Sequence, residues 1–105
     1  MHIDINCDMG ERTADRMIGQ DAAIMPFISS ANIACGFHGG SPAVMRETIH
    51  LARPYGVAIG AHPSFPDLEG FGRREMNMTA SEVHDIVVYQ AGAMKAMAEA
   101  HGAKL

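Results

Sequence analysis

Three apolar runs in this chain each end on a side chain that can bind a metal ion or transfer a proton. The runs cover residues 3–8, 32–38 and 57–62, and they end on Asp8, His38 and His62. Segments with helical features lie between them or follow them, a pattern typical of alternating strands and helices. Because parallel strands bring their carboxyl ends to one edge of a sheet, we expect these three side chains to share one rim.

Capping residues and apolar periodicity predict the helices. They are expected at about residues 21–30, at 42–56 after a Ser41-Pro42 start, and at 79–101 after a capping box formed by Thr79 and Glu82. Pro26 limits the regularity of the first helix because it has no backbone N–H. Residues 103–105 are expected to begin a fourth strand. The order predicts an α/β fold built from parallel βα units.

The length of the chain constrains how far such a series can extend. With 105 residues, we expect a single α/β domain over residues 1–105. A closed βα barrel needs roughly 250 residues, so the domain is expected to be the amino-terminal part of a longer barrel, incomplete in this chain. The 48% content of hydrophobic residues indicates a globular chain rather than a disordered one.

Composition also excludes several classes of function. The formal net charge of −4 and the lack of a Lys/Arg-rich run argue against nucleic-acid binding. No apolar run approaches the length of a membrane span and no signal segment is recognisable, so we expect a cytoplasmic protein. Cys7 and Cys35 have no CxxC spacing, and we interpret them as reduced, buried thiols rather than ligands or nucleophiles.

Two carboxylates at the end of the first strand are candidate functional groups. Asp8 and Glu11 lie three residues apart and could bind a divalent metal or act as acid and base. In the simpler interpretation Asp8 caps a turn and Glu11 is only solvated.

Two histidines occupy equivalent positions at the ends of the next two strands. His38 lies in a glycine-rich segment in which Gly39 and Gly40 permit tight turns, and the following helix could direct N–H groups at a phosphate or carboxylate. We therefore predict Gly39 and Gly40 as substrate-binding residues. His62 ends the third strand. Neutral imidazole binds Zn-type metals and free imidazole titrates near neutral pH, so Asp8, His38 and His62 could form a metal site or an acid/base set. A structural histidine bonded within a turn is the competing interpretation of His38.

The segment from residue 62 to residue 78 is longer than a usual connection and is typical of a binding loop. It contains Arg73 and Arg74, and a guanidinium can hold a carboxylate or phosphate through two hydrogen bonds. We predict Arg73 as a substrate-binding residue, with an ordinary surface ion pair as the competing interpretation, and we expect an ordinary surface ion pair for Arg74.

These segments closely resemble the LamB/YcsF family. The resemblance is carried by residues 6–11 (NCDMGE), 29–40 (SSANIACGFHGG), 60–67 (GAHPSFPD) and 70–74 (GFGRR). It departs at residues 12–16 (RTADR), where family members have a stretch rich in glycine and aromatic residues. Family members are also about two and a half times longer, so the chain resembles the amino-terminal part of their barrel.

The resemblance implies an irregular β/α barrel related to glycoside hydrolase and polysaccharide deacetylase folds. It implies a role as the A subunit of ATP-dependent 5-oxoprolinase, in which the lactam 5-oxoproline is cleaved to L-glutamate in a complex with subunits B and C. By the matching motifs, Asp8, Glu11, His38 and His62 are the expected catalytic residues, with Arg73 nearby. Because the phosphate-binding motif GxxxxGK[ST] is absent, we expect ATP phosphates to contact another subunit or the missing portion.

Two other functions stay open at this point. A metal-dependent polysaccharide deacetylase would use the same combination of one carboxylate and two imidazoles, with the metal activating water. A non-catalytic binding or scaffold subunit would instead complete the site of a partner.

Overall fold

Three short parallel strands form the sheet of this protein. In the computed structural model, which describes all residues from Met1 to Leu105, they are β1 (Asn6–Met9), β2 (Ser30–Ala34) and β3 (Ala58–His62), in the spatial order β1-β2-β3. Asp8 lies opposite Asn32, and Asn32 lies opposite Gly60. The carboxyl ends of all three strands therefore reach one edge. The predicted α/β fold of parallel βα units is confirmed.

Helices connect and cover these strands. They are α1 (Asp21–Ile24), α2 (Pro42–Ala52) and α3 (Ala80–Ala100), and 3₁₀ turns extend the first two over Met25–Phe27 and Arg53–Tyr55. Ser41 caps α2 by accepting a hydrogen bond from the N–H of Val44. Thr79 and Glu82 form the predicted capping box of α3. Gly56, with φ of 64°, ends the second helical segment in the left-handed conformation.

Alternation along the strands gives the sheet two different faces. One face packs against α2 and α3, and the resulting core cluster includes Met9, Ala31, Ile33, Ile59, Met45, Ile49, Met94 and Ala98. Burying each large apolar side chain of this set contributes about 1.5–3 kcal/mol. The other face carries Asn6 and Asp8, which are exposed, and Asn32, which is half-buried. No layer of this chain covers that face.

The start of the first strand differs from the prediction. β1 begins at Asn6 rather than Ile3, and Ile3 and Ile5 are 83% and 52% exposed. The carbonyl of Ile5 accepts from the backbone N–H groups of Ser29 and Ser30, but its N–H donates to the hydroxyl of Ser29 at 2.8 Å rather than to a backbone carbonyl, so the regular ladder starts one residue later. Alternation in the sequence extends further than the backbone pairing that defines a strand.

The end of the second strand also differs from the prediction. β2 ends at Ala34 rather than at residue 38, so His38 lies four residues beyond its strand, whereas His62 is the last residue of β3. The two histidines are therefore not at equivalent strand positions.

Two further helix and strand predictions need correction. The first helix is a single α-helical turn followed by a 3₁₀ turn containing Pro26, shorter than the expected ten residues. The predicted fourth strand at residues 103–105 is wrong, because these residues pair with no strand and the N–H of Ala103 donates to the carbonyl of Ala98. None of the helices, α3 included, combines the length and apolarity that crossing a membrane requires.

Candidate active site at the carboxyl edge of the sheet

A carboxylate and two imidazoles meet at the carboxyl edge of the sheet. Nε2 of His38 lies 2.8 Å from Oε2 of Glu11, and Nδ1 of His62 lies 3.7 Å from the same oxygen. The two imidazole centroids are 4.5 Å apart. The three residues offer ligand atoms that all lie within 4.8 Å of one another. The structure therefore joins three predicted rim residues that are far apart in sequence.

The members of this cluster differ in exposure. The side chain of His38 is 2% exposed, compared with 16% for Glu11 and 26% for His62. Nδ1 of His38 and Nδ1 of His62 are buried without a hydrogen-bond partner. Leaving a buried polar atom unpaired costs about 1–3 kcal/mol. Two such nitrogens in one cluster indicate a site that binds something beyond the chain itself.

Asp8 lies beside the cluster rather than within it. Its Oδ1 is 3.7 Å from Nδ1 of His62 and accepts a 3.2 Å hydrogen bond from Nδ2 of Asn32. Its side chain is 48% exposed. Of the two carboxylates, Glu11 is the one that contacts both imidazoles, so the compact set is Glu11, His38 and His62 rather than the predicted Asp8, His38 and His62.

Gly39 and Gly40 lie behind the cluster, against the segment that carries Glu11. A Cβ added to Gly39 would lie 2.6 Å from the carbonyl oxygen of Glu11, and one added to Gly40 would lie 2.3 Å from that of Gly10. Gly40 also has φ of 72°, which favours glycine. Both glycines are buried. Their lack of side chains allows the close backbone approach that brings Glu11 to His38.

Residues 63–74 form a wall beside His38. The ring of Phe71 meets the ring of His38 edge-on at 5.0 Å, and the guanidinium of Arg16 lies 5.5 Å from the Phe71 centroid. Phe71 has φ of 57°, an uncommon backbone conformation for a bulky residue. Such conformations cost about 1–3 kcal/mol and concentrate at functional sites. Gly72 completes the contact, since a Cβ there would lie 2.9 Å from Cβ of His38.

Gln90 of α3 holds the backbone just beyond His62. Its amide is fully buried, accepts a 2.9 Å hydrogen bond from the N–H of Ser64, and donates at 2.8 Å to the carbonyl of Ser64 and at 2.9 Å to that of Ile86. Gln90 is not among the residues that the sequence motifs select. A lone amide within the apolar stripe of a predicted helix is the signal that could have identified it, because buried polar groups need partners.

A second anchor of the same wall is the pair of Asp67 and Arg74. Asp67 is 4% exposed and accepts hydrogen bonds from Nε of Arg74 at 3.0 and 3.1 Å, from its Nη2, and from the N–H of Gly70 at 2.9 Å. The bonds from Arg74 are the largest cause that lowers the pKa of Asp67 to about 2. Arg73 is exposed, and its side chain forms no hydrogen bond or ion pair within the chain. The structure does not place Arg73 in the cluster.

Both cysteines are free thiols on the side of the sheet that the helices cover. Cys35 is buried, whereas Cys7 is only half-buried, so the expectation of two buried thiols holds for one of them. Burial raises the pKa of both thiols, and nearby carboxylates raise that of Cys7 further. A raised pKa disfavours the reactive thiolate, so neither cysteine has the environment of a nucleophile.

The fold and this cluster define an α/β protein that presents acid/base or metal-binding groups at the carboxyl edge of parallel strands. The chain belongs to the LamB/YcsF family, whose model matches residues 3–105. The family expected from the sequence motifs is thereby confirmed.

Similar proteins extend well beyond this chain. It is 56% identical over 103 residues to the A subunit of 5-oxoprolinase from Bacillus thuringiensis subsp. konkukian and to that from Bordetella pertussis, covering 98% of this chain and 41% of each relative. The crystal structure of the lactam utilization protein from Thermus thermophilus superposes with a TM-score of 0.95 at 52% identity, covering 100% of this chain and 42% of that one. The chain thus spans about two-fifths of the length of these relatives and matches an amino-terminal part of their fold.

Proposed function

We propose that this chain acts within the A subunit of an ATP-dependent 5-oxoprolinase, which cleaves 5-oxoproline to L-glutamate together with subunits B and C. Family membership and 56% identity to relatives named as this component of 5-oxoprolinase support the proposal. The observation that carries the site assignment is the 2.8 Å hydrogen bond between Glu11 and His38, with His62 3.7 Å from the same carboxylate oxygen.

The reaction sets clear chemical requirements. A lactam is stabilised by resonance, so its carbonyl must be activated, and phosphorylation by ATP is a suitable means. Transfer of the γ-phosphoryl group to the carbonyl oxygen releases ADP. Water then adds to the carbonyl carbon, the C–N bond breaks and the nitrogen receives a proton, which leaves an acyl phosphate. A second water hydrolyses the acyl phosphate to the carboxylate and inorganic phosphate. A positioned base and a proton donor are therefore needed on either side of the scissile bond. The ATP phosphates would contact a partner subunit or a part of the same polypeptide beyond these residues.

Glu11 and His38 have the arrangement of a coupled acid/base pair. The Glu11 carboxylate is 16% exposed, so it can reach a substrate, and its hydrogen bond to the buried imidazole of His38 holds it in place. We assign Glu11 as the base that directs water and His38 as the group that orients it and shares its proton. Asp8, the other candidate base, is more exposed and is bonded to an amide rather than an imidazole.

His62 and Arg73 complete the proposed roles. The unpaired, buried Nδ1 of His62 lies 3.7 Å from oxygens of both Asp8 and Glu11, where it can pass a proton to the departing nitrogen. Arg73 has a guanidinium that no group of the chain occupies, and we assign it to the substrate carboxylate. For Gly39 and Gly40, which contact the Glu11 segment, we propose support of the site rather than the direct substrate contact that their sequence context suggested.

The same cluster also fits a divalent metal. Tetrahedral ligands at about 2.1 Å from a zinc ion lie about 3.4 Å apart. The observed separations of 2.8 and 3.7 Å from the Glu11 oxygen to the two imidazole nitrogens bracket that value. Glu11, His38 and His62 would hold the ion, which would supply Lewis acidity toward a carbonyl and would lower the pKa of a water bound to it.

This fit favours one alternative function, a metal-dependent deacetylase-like hydrolase. Metal analysis of the purified protein separates the two proposals. Stoichiometric Zn or Mn, with activity on acetylated sugars that is lost on chelation, supports the deacetylase. Full ATP-dependent glutamate formation after exhaustive chelation of Zn and Mn, with ATP supplied as its magnesium salt, excludes a catalytic role for either metal in this cluster.

The experiment that tests the proposed function measures ATP-dependent glutamate formation by the full-length protein in complex with subunits B and C. Glu11→Gln and His62→Ala are each expected to lower kcat by a factor of about 10²–10⁴, the range of general acid/base catalysis. Glu75→Gln and His84→Ala change exposed residues of the same types and are expected to retain activity. Unchanged activity of Glu11→Gln or of His62→Ala would remove that residue from the mechanism.

A further inference from the structure

Asn32 occupies the centre of the polar face that leads to the cluster. It lies in β2 between Asp8 of β1 and Gly60 of β3, with all three at the same level of the sheet. Asp8 in turn is 3.7 Å from Nδ1 of His62. The amide of Asn32 is therefore one side chain away from the catalytic groups, on a face that this chain leaves open.

The orientation of the Asn32 amide follows from its neighbours. Its nitrogen donates to Oδ1 of Asn6 at 3.0 Å and to Oδ1 of Asp8 at 3.2 Å. An ionised carboxylate only accepts hydrogen bonds, so the nitrogen rather than the oxygen of the amide must face Asp8. Both N–H groups of Asn32 are thereby used.

Asp4, Ser30, Asn6, Asn32 and Asp8 form a row of hydrogen-bonded polar side chains on this face. The other members of the row require the same orientation of the Asn32 amide. The nitrogen of Asn6 donates to the hydroxyl of Ser30 at 2.9 Å, which leaves its oxygen facing Asn32. The hydroxyl of Ser30 donates to the carboxylate of Asp4 at 2.8 Å. A carboxylate at each end determines which way every amide in the row points.

The carbonyl oxygen of Asn32 is consequently the free end of its amide. It accepts no hydrogen bond from the chain. A Cβ added to Gly60 would lie 2.9 Å from it, so the glycine leaves open the space above β3 that this oxygen faces. The geometry presents a fixed hydrogen-bond acceptor on an open surface beside His62.

We propose that the carbonyl oxygen of Asn32 accepts the ring N–H of a cyclic amide substrate and so selects lactams. This inference rests on the proposed function. In a lactam the N–H is bonded directly to the scissile carbonyl carbon, so holding the N–H at Asn32 places the scissile C–N bond beside His62, the assigned proton donor, whose Nδ1 lies 3.7 Å from the carboxylate of Glu11. A site built to hydrogen-bond an N–H discriminates strongly against an analogue that lacks it.

The test compares two ligands that differ only at the ring N–H, which an oxygen atom replaces in the second ligand. Dissociation constants are measured for 5-oxoproline and for its γ-lactone analogue, 5-oxotetrahydrofuran-2-carboxylate, with the full-length protein in complex with subunits B and C. The unmodified protein is expected to bind the lactam at least about tenfold more tightly than the lactone. Asn32→Ala is expected to reduce this preference to within about twofold. Asn77→Ala, which changes an exposed asparagine in the loop before α3, is the control and retains the preference.

A second variant protects the test against misfolding of the first. Gly60→Ala keeps Asn32 but crowds its carbonyl oxygen, and is also expected to weaken the preference for the lactam. Folded variants that both keep the full preference would overturn the role of Asn32 while leaving the proposed function intact. Equal binding of lactam and lactone by the unmodified protein would do the same. If the unmodified assembly neither binds nor cleaves 5-oxoproline, the proposed function fails and this inference fails with it.

Discussion

The two faces of the three-stranded sheet differ in what they contribute. Ile33, on the face that the helices cover, is completely buried, whereas its neighbour Asn32 points to the open face and is half-buried. One step along a strand reverses the side-chain direction, so adjacent residues belong to different environments. The covered face supplies the apolar burial that holds the fold, and the open face supplies the polar groups of the candidate site.

The wall formed by residues 63–74 combines both kinds of environment. Gln90 holds its beginning from the covered side, and Asp67 with Arg74 holds its end. Phe71 lies between these anchors, edge-on to His38. Stability and site geometry are thus coupled in this segment, although they are separate within the sheet.

The largest expected effect tests the separation of the two faces directly. Ile33→Ala is expected to lower the free energy of unfolding by about 2–5 kcal/mol, because it leaves a cavity in the core. Asn32→Ala is expected to lower it by less than about 1.5 kcal/mol, because its hydrogen bonds are partly replaced by water. Urea unfolding followed by circular dichroism measures both values. Equal losses would show that the open face contributes to the fold as much as the core does.

An intermediate loss of stability is expected on replacing Gln90, which lies on the covered side of the sheet and holds the backbone of the wall. Gln90→Leu leaves the N–H and carbonyl of Ser64 without partners and is expected to cost about 1–3 kcal/mol in unfolding free energy. Gln20→Leu, at an exposed glutamine without a side-chain cap bond, is the control. Thermal unfolding measures stability, and amide hydrogen exchange at Ser64 reports the local change. Unaltered exchange at Ser64 would contradict a role of Gln90 in holding this backbone.

The pH dependence of stability tests the anchor formed by Asp67 and Arg74. The pKa of Asp67 falls from 3.8 to about 2 in the folded chain, chiefly through the hydrogen bonds from Arg74. A lowered pKa means that the ionised carboxylate stabilises the fold above about pH 4 and that this contribution is lost as the pH falls through about 2. Thermal unfolding between pH 6 and pH 2 is expected to show this loss in the unmodified chain.

Asp67→Asn is expected to be less stable at pH 6 and to show a weaker fall in stability between pH 4 and pH 2. Asp15→Asn, at an exposed carboxylate, serves as the control and should follow the unmodified chain. Parallel pH profiles for Asp67→Asn and the unmodified chain would show that Asp67 does not stabilise the wall.

The smallest effect concerns two residues of the same type on the covered side. Cys7 is expected to react with iodoacetamide before Cys35, because Cys7 is half-buried and Cys35 is buried. Mass spectrometry of the native chain at pH 8 measures both rates, and unfolding in urea should make them similar. Faster modification of native Cys35 would show that the covered face opens near the site.

Much of the fold was predictable from local patterns. The capping residues Ser41 and Thr79 marked the starts of α2 and α3 correctly, because capping depends on hydrogen bonds within a few residues. The apolar runs located the strands along the sequence but did not predict the residues at which the strands begin and end. Ile3 and Ile5 continue the alternation of β1 yet lie outside it, since strand length depends on where the neighbouring strand begins.

The sequence predicted which residues belong to the candidate site better than it predicted the contacts between them. Asp8, Glu11, His38 and His62 were all selected from positions after the strands, and the structure gathers them at one edge. Gln90, in contrast, is a single polar residue in a predicted helix, and no sequence motif selects it. Nothing local to α3 indicates that its amide faces the backbone of another segment.

The sequence by itself determined the order of the elements, the helix starts and the two-faced character of the strands, because these depend on interactions between residues close along the chain. Only the tertiary structure decided that Glu11 rather than Asp8 contacts both imidazoles. That choice depends on how closely the segment after β1 packs against Gly39 and Gly40, and contacts between distant segments leave no periodic trace in the sequence.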